Sequence, residues 1–134
     1  MANQSDFRTV FARLKQIFAP YQKNMIVAQA TDKMYVLNTR HLLKKKYPLM
    51  FGGVRLGKNY VSFYLMSVYA TPDQPISPEL KKRMQGKSCF NFTTVDEKLF
   101  KELERLTKAG AKKFSDEKFV DGLRAAQQRR AASA

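Results

Sequence analysis

The sequence contains a single cysteine, Cys89, so no disulfide can form within the chain, and a reducing compartment is the simplest setting for it. It has no apolar run of about 18 residues, the length a membrane-spanning helix needs. Met1 to Asp6 are polar and do not form a basic stretch followed by an apolar segment, so neither membrane insertion nor secretion is expected and the cytoplasm is the expected location. One cysteine and one histidine, His41, cannot complete a four-ligand zinc site. Gly52 and Gly53 are not followed by the Gly-Lys-Ser or Gly-Lys-Thr of a phosphate loop, and no dinucleotide-binding spacing occurs, so no cofactor is expected. Acidic residues are also scarce. Eleven Asp and Glu against 25 Lys and Arg leave a formal charge of +14, more than solubility requires, which points to anionic partners.

What is present is enough apolar residue, 44% of 134 with ten Phe and six Tyr, for one domain with its own core. Ser5 is a candidate cap for a first helix in which Phe7, Val10, Phe11, Leu14, Ile17 and Phe18 share one face, stopped by Pro20. Met25 to Ala30 and Met34 to Leu37 read as a hairpin turning at Thr31, Asp32 and Lys33. Asn38 and Thr39 then offer a cap for a short helix over Arg40 to Tyr47, closed by Pro48. Gly52 and Gly53 release the chain into a second hairpin, Val54 to Leu56 and Tyr60 to Tyr69, around Gly57, Lys58 and Asn59. In its second arm Val61, Phe63 and Leu65 alternate with Tyr60, Ser62, Tyr64 and Met66, giving one core face and one half-polar face.

Ser77 and Pro78 open a short basic helix through Lys81, Lys82 and Arg83, ended by Gly86, and Lys87 to Thr93 reads as a strand. Thr94 and Glu97 have capping-box spacing for a long helix with Leu99, Phe100, Leu103, Leu106 and, near its end, Phe114 inward. Ser115 is a candidate cap for a last helix holding Phe119, Val120 and Leu123. The expected fold is therefore α+β: an antiparallel or mixed sheet in residues 1–124, with the N-terminal helix and the long C-terminal helix packed together on one face. Residues 125–134, without apolar anchors, are expected to form a basic frayed tail.

Gly86-Lys87-Ser88-Cys89-Phe90-Asn91-Phe92, between a short and an amphipathic helix, together with Lys58-Asn59-Tyr60-Val61-Ser62-Phe63-Tyr64 upstream, resembles the small bacterial proteins grouped as YdhG-like. The resemblance covers roughly Val54 to Leu106. It implies a frataxin-like two-layer sandwich and, through members described as iron chaperones, an iron-handling role. That role fits this sequence poorly. Hard iron sites need clustered oxygen ligands, and the only acidic pairs, Asp96 with Glu97 and Asp116 with Glu117, stand where they favour a helix dipole, on a chain whose net charge repels cations.

A nucleophilic pair would require His41 within hydrogen-bond reach of Cys89, which nothing in the sequence imposes; Cys89 reads more simply as a small packed thiol, and no catalytic residue is assigned. Between Asp32 and Tyr60, seven Lys and Arg face one acid and are interleaved with Tyr35, Tyr47 and Tyr60. Two binding readings follow, beside an enzymatic one that stays open because a pocket can hold chemistry with no sequence signature. In the first, Arg40, His41, Arg55 and Lys58, with Tyr60 and Tyr64, bind a small anionic ligand or an acidic protein surface without catalysis. In the second, Lys44, Lys45, Lys46, Lys81, Lys82, Arg83 and the tail arginines contact nucleic-acid phosphates, although no recognition-helix or RNA-binding-sheet consensus accompanies them. Against both stands the plain alternative of solvated lysines and tyrosines that complete the core.

Overall fold

In a computed structural model of the chain, described over residues 4–43, 47–70, 75–86, 88–116 and 118–122, the first apolar stripe forms α1 (Gln4–Phe18). All six of its predicted inward residues, Phe7 to Phe18, are buried. Ser5 lies inside this helix and not ahead of it. Pro20 enters at the first turn of a 3-10 segment, Ala19–Asn24, where its missing N–H costs nothing.

Six strands follow: β1 (Ile26–Ala30), β2 (Met34–Leu43), β3 (Tyr47–Leu56), β4 (Val61–Leu65), β5 (Met84–Gln85) and β6 (Cys89–Phe92). They form one sheet in the order β1-β2-β3-β4-β6-β5, and each neighbouring pair is antiparallel. The edge strand β1 is exposed along its whole length and carries a register shift between Val27 and Gln29. Among the described residues, α2 (Met66–Ala70), α3 (Pro78–Lys81), α4 (Glu97–Phe114) and a last helical stretch at 118–122 accompany the sheet. α1 packs over β3 and β4 and beside α4, while α2 fits between α4 and β3. The molecule is thus a two-layer α+β structure with the expected long helices on one face of the sheet. Among the described residues no helix is long and apolar enough to cross a membrane.

The segment expected to be a short helix after Thr39 is strand instead. β2 continues to Leu43, and Leu42 and Leu43 pair with Pro48 and Tyr47 of β3. Buried Thr39 donates its hydroxyl to the Leu49 carbonyl at 2.9 Å, so it ties two strands together and caps nothing. Pairing with a long partner strand overrides a weak local helix preference. Gly52 and Gly53, expected to release the chain, lie within β3. A Cβ on Gly52 would come 2.7 Å from the Phe18 ring and 2.5 Å from the Tyr64 carbonyl oxygen. Next to it the register skips Phe51, since Leu37 pairs with Gly52 and Asn38 with Met50. This bulge turns the Phe51 ring into the core, 5.9 Å from Phe18 and 5.6 Å from Phe114.

The strand expected over Tyr60 to Tyr69 ends at Leu65, and Met66–Ala70 turns into α2. α2 approaches α4 at Gly110, where a Cβ would sit 2.6 Å from the Ser67 Cβ. Ser77 caps α3 as expected, accepting from the Leu80 amide at 3.2 Å, and Gly86 has the positive φ of 79° that favours glycine. The cap of α4 is Asp96, whose carboxylate accepts from the Leu99 amide at 3.2 Å. Thr94 lies too far upstream for that role. Ser115 closes the C-terminal end of α4, and Asp116 accepts from the Lys118 amide at 3.0 Å where the last helical turns, 118–122, begin. The expected tail lies outside the described residues.

Glu97, freed from capping, holds the two long helices together. Arg13 of α1 donates through Nε and Nη2 to the two Glu97 oxygens at 2.8 Å each, and through Nη2 to Glu104 at 3.2 Å. The same guanidinium lies 5.9 Å from the centre of the Phe100 ring. The fork geometry holds the pair more specifically than a lysine would.

Two predictions follow from this packing. Gly52→Ala should lower stability by about 1–3 kcal/mol, the usual cost of forcing atoms into a filled core, measured by urea denaturation. The second concerns acid. The Arg13 hydrogen bond, followed by the Arg13 and Lys101 charges, holds the Glu97 carboxyl below its ordinary value of 4.5. A carboxylate depressed in the folded state stabilises fully above its ordinary pKa and loses that contribution as pH falls through the folded value. Glu97→Gln should therefore lower the melting temperature at pH 7 and leave a smaller difference from the parent near pH 3.

A candidate anion-binding site on the open sheet face

The β3–β4 hairpin closes with the pair Leu56 and Val61, after which the Gly57 amide donates to the Tyr60 carbonyl at 3.0 Å. A Cβ on Gly57 would stand 2.7 Å from that oxygen, so glycine lets the chain turn here with Lys58 and Asn59 at the tip. Strand alternation sends Val61, Phe63 and Leu65 into the core beneath the helices and leaves Ser62 and Tyr64 on the other face. Arg55 is the cross-strand partner of Ser62 and is exposed. Together Arg55, Gly57, Lys58, Asn59, Tyr60 and Ser62 line a depression of about 130 Å³. A water occupies about 30 Å³ in the liquid, so the space suits a few waters or one small oxyanion.

A row of side-chain hydrogen bonds fixes the floor beside the depression. Ser62 donates to Asn91 Oδ1 at 2.7 Å, and Asn91 Nδ2 donates to Gln85 Oε1 at 2.8 Å. The Tyr60 hydroxyl reaches the same Gln85 oxygen at 3.4 Å. The Ser62 proton is therefore committed to Asn91, and the positive groups available to an anion are Arg55 and Lys58. Among the described residues the ion pairs use Arg13 and Arg105, and neither Arg55 nor Lys58 takes part in one.

Three of the sequence-predicted ligand residues, Arg55, Lys58 and Tyr60, thus come together. Tyr64 borders them one step along β4, opposite Gly53 and Cys89. Arg40 does not join them. It lies six residues along β2 from Met34, the cross-strand partner of Arg55, about 20 Å at roughly 3.3 Å per residue. There its Nε donates to the Asn24 carbonyl at 3.2 Å. His41 follows Arg40 in β2, and its side chain lies outside the described residues. Lys44, Lys45 and Lys46 lie outside them altogether. Lys81, at the end of α3, and Lys82 and Arg83, between α3 and β5, are exposed and do not line the depression; the Arg83 carbonyl accepts from the Asn91 amide.

Asn91 and Gln85 were not identified from the sequence as parts of a site. Asn91 alternates with Phe90 and Phe92, which marks it as an open-face residue, but its position beside Ser62 depends on β6 pairing with β4 across an intervening stretch of chain.

Cys89 and His41 do not form a pair. β6 and β2 are separated in the sheet by β4 and β3, three steps of about 4.8 Å, or roughly 14 Å. Cys89 donates to Asn91 Oδ1 at 3.5 Å. Burial pushes its thiol above the ordinary value of 9.0, against a smaller opposing influence of the neighbouring Ser62 and Tyr64 hydroxyls. Of the acidic residues considered for iron, Asp96 caps α4, Glu97 binds Arg13 and Asp116 accepts from Lys118; Glu117 lies outside the described residues. Among the described residues no three His, Cys, Asp or Glu side chains gather into a metal-binding group.

No family model, curated protein or solved structure matches the chain. The site is therefore interpreted from its own geometry.

Because the thiolate is the reactive form and burial disfavours it, Cys89 should react slowly with a maleimide at pH 7, and its rate should still be rising above pH 9. A stopped-flow pH profile with a midpoint near 7 would contradict this environment.

Proposed function

We propose that this chain is a binding protein for a small anionic group, a phosphate or a carboxylate, held at the β3–β4 hairpin between Arg55 and Lys58. One observation carries the proposal: two cations converge on a concave turn, engaged by no carboxylate among the described residues, beside a floor locked by hydrogen bonds. Arg55 supplies a planar fork for an oxyanion, Lys58 a point charge, and Tyr60 a wall with an apolar face. The anion can belong to a small ligand or to an acidic side chain of a protein partner. The same two-layer sheet, with α1 and α4 on one face, supports the frataxin-like architecture that the YdhG-like resemblance implies. Iron handling forms no part of the proposal, because Asp96 and Glu97 are engaged within the fold.

Two charge-assisted contacts of about 1.5–3 kcal/mol each correspond to binding on the order of millimolar for a lone phosphate. Calorimetric titration of inorganic phosphate and of citrate tests this. Arg55→Ala should remove the binding heat, and Lys58→Gln should weaken binding by about tenfold, the effect of losing one contact of about 1.4 kcal/mol. Binding unchanged by Arg55→Ala would refute the assignment.

A further inference from the structure

α4 turns one side to the core, with Leu99, Phe100, Leu103, Leu106, Gly110 and Phe114 buried among others. Its opposite side carries Lys98, Lys101, Arg105, Lys108 and Lys112, all exposed. Their spacing is 3, 4, 3 and 4 residues. At about 100° per residue the five positions fall within an arc of roughly 80°, centred opposite the core stripe, and at 1.5 Å per residue they extend about 21 Å. The carboxylates of the helix stand to either side of this arc. Glu97 and Glu104 are bound by Arg13 of α1. Glu102 accepts from the Ser77 amide at 2.8 Å and the Ser77 hydroxyl at 2.6 Å, and reaches Arg105 only at 3.8 Å. The outer line is a ridge of cations with no acid interspersed.

Such an arrangement works against the helix that bears it. Surface helices gain from opposite charges three or four residues apart and lose from like ones. Here Lys98 with Lys101, Lys101 with Arg105, Arg105 with Lys108, and Lys108 with Lys112 are all like-charged neighbours. Lys98 also stands near the positive N-terminal end of the helix dipole. The flanking acids offset part of this, since Arg105 reaches Glu102 at 3.8 Å and the Lys101 charge acts on Glu97, but the outermost line itself carries cations alone.

We infer that the α4 ridge docks on the phosphate backbone of a nucleic-acid duplex without reading its sequence. The exposed large apolar residues among those described are Ile26, Val27, Tyr60 and Val95, and none lies within α4. A helix lying in a lipid interface needs an apolar face for the acyl layer, and that of α4 is consumed by the core. No aromatic side chain stands on the ridge to stack unpaired bases, as single-strand binding uses. What the ridge offers is a row of cations, and duplex phosphates are the corresponding row of anions. It rests on different residues from the phosphate site and faces the other way: the helices cover one side of the sheet, and Arg55 and Ser62 lie on the other.

The test is fluorescence anisotropy with a labelled DNA duplex of about 20 base pairs, titrated between about 50 and 200 mM salt. Lys101, Lys108 and Lys112 changed together to Gln should reduce the magnitude of the logarithmic salt slope by about 2.7, three phosphate contacts at about 0.9 each, and weaken binding at 0.1 M salt on the order of a hundredfold. Lys23, Lys33 and Arg40 changed together to Gln remove the same charge from exposed positions on the 3-10 segment and the β1–β2 edge of the sheet, and should cost less than about tenfold. Arg55→Ala should leave duplex affinity in place, which separates this result from failure of the phosphate site. The ridge variant should remain folded, with a cooperative melting transition like that of the parent, because its three positions are exposed. Equal losses from the two triple variants, an unchanged affinity in the ridge variant, or ridge-dependent binding to phosphatidylserine vesicles without duplex binding would each overturn the inference.

Discussion

The aromatic ring of Phe18 lies on the bare backbone of Gly52, and most of the architecture follows from that contact. It is the last residue of α1, stacked on Phe63 of β4 at 4.9 Å with an interplanar angle of 11°, and 6.0 Å from Tyr35 of β2. One side chain thereby ties the helix to three adjacent strands, which is possible only because β3 passes beneath it without a Cβ. With α1 fixed over β3 and β4, Arg13, five residues closer to the N-terminus, reaches Glu97 and Glu104 of α4. The proposed anion site lies at the turn that joins these two strands.

Much of this was legible along the chain, and the limits are physical. The stripe in α1 and that in α4 each repeat over several turns, and every predicted inward residue is buried. The hairpin at Gly57, Lys58 and Asn59 was readable because a tight turn is a local event. The extension of β2 through Leu43 was not, since Arg40 to Leu43 acquire their conformation from pairing with Tyr47 and Pro48. Gly52 and Gly53 look like punctuation in one dimension and prove to be clearance for an aromatic ring and a neighbouring strand in three. Asp96 displaced Thr94 as the cap of α4 once Glu97 was drawn toward Arg13, a partner 84 positions away. The two halves of the candidate site differ in the same way: Arg55, Lys58 and Tyr60 are neighbours across one turn, whereas Asn91 and Gln85 arrive through the β4-β6-β5 order. The cationic period of α4 lies in the sequence as well, interleaved with the apolar positions that define the helix.

The two proposed surfaces share a cause. With 25 basic and eleven acidic residues, the placement of the acids decides where positive charge is left over. Glu97 and Glu104 are held by Arg13, Glu102 by Ser77, and Asp96 and Asp116 by backbone amides. Each of these contacts orders a helix or its junction and turns a carboxylate away from α4's outer line and from the hairpin. The same contacts that join the helices therefore leave the electrostatic character of both faces to lysine and arginine.

The bulge in β1 bears on how the sheet ends. Ile26–Ala30 is an uncharged edge, open along its length, of the kind that recruits further strands in fibrils. Between Val27 and Gln29 its spacing slips by one residue. A foreign strand laid along it would lose phase with the ladder midway, and an antiparallel second copy centred on Ala28 would bring Lys23 against Lys33 at both ends. One extra residue thus breaks the phase that templated growth along this open edge requires.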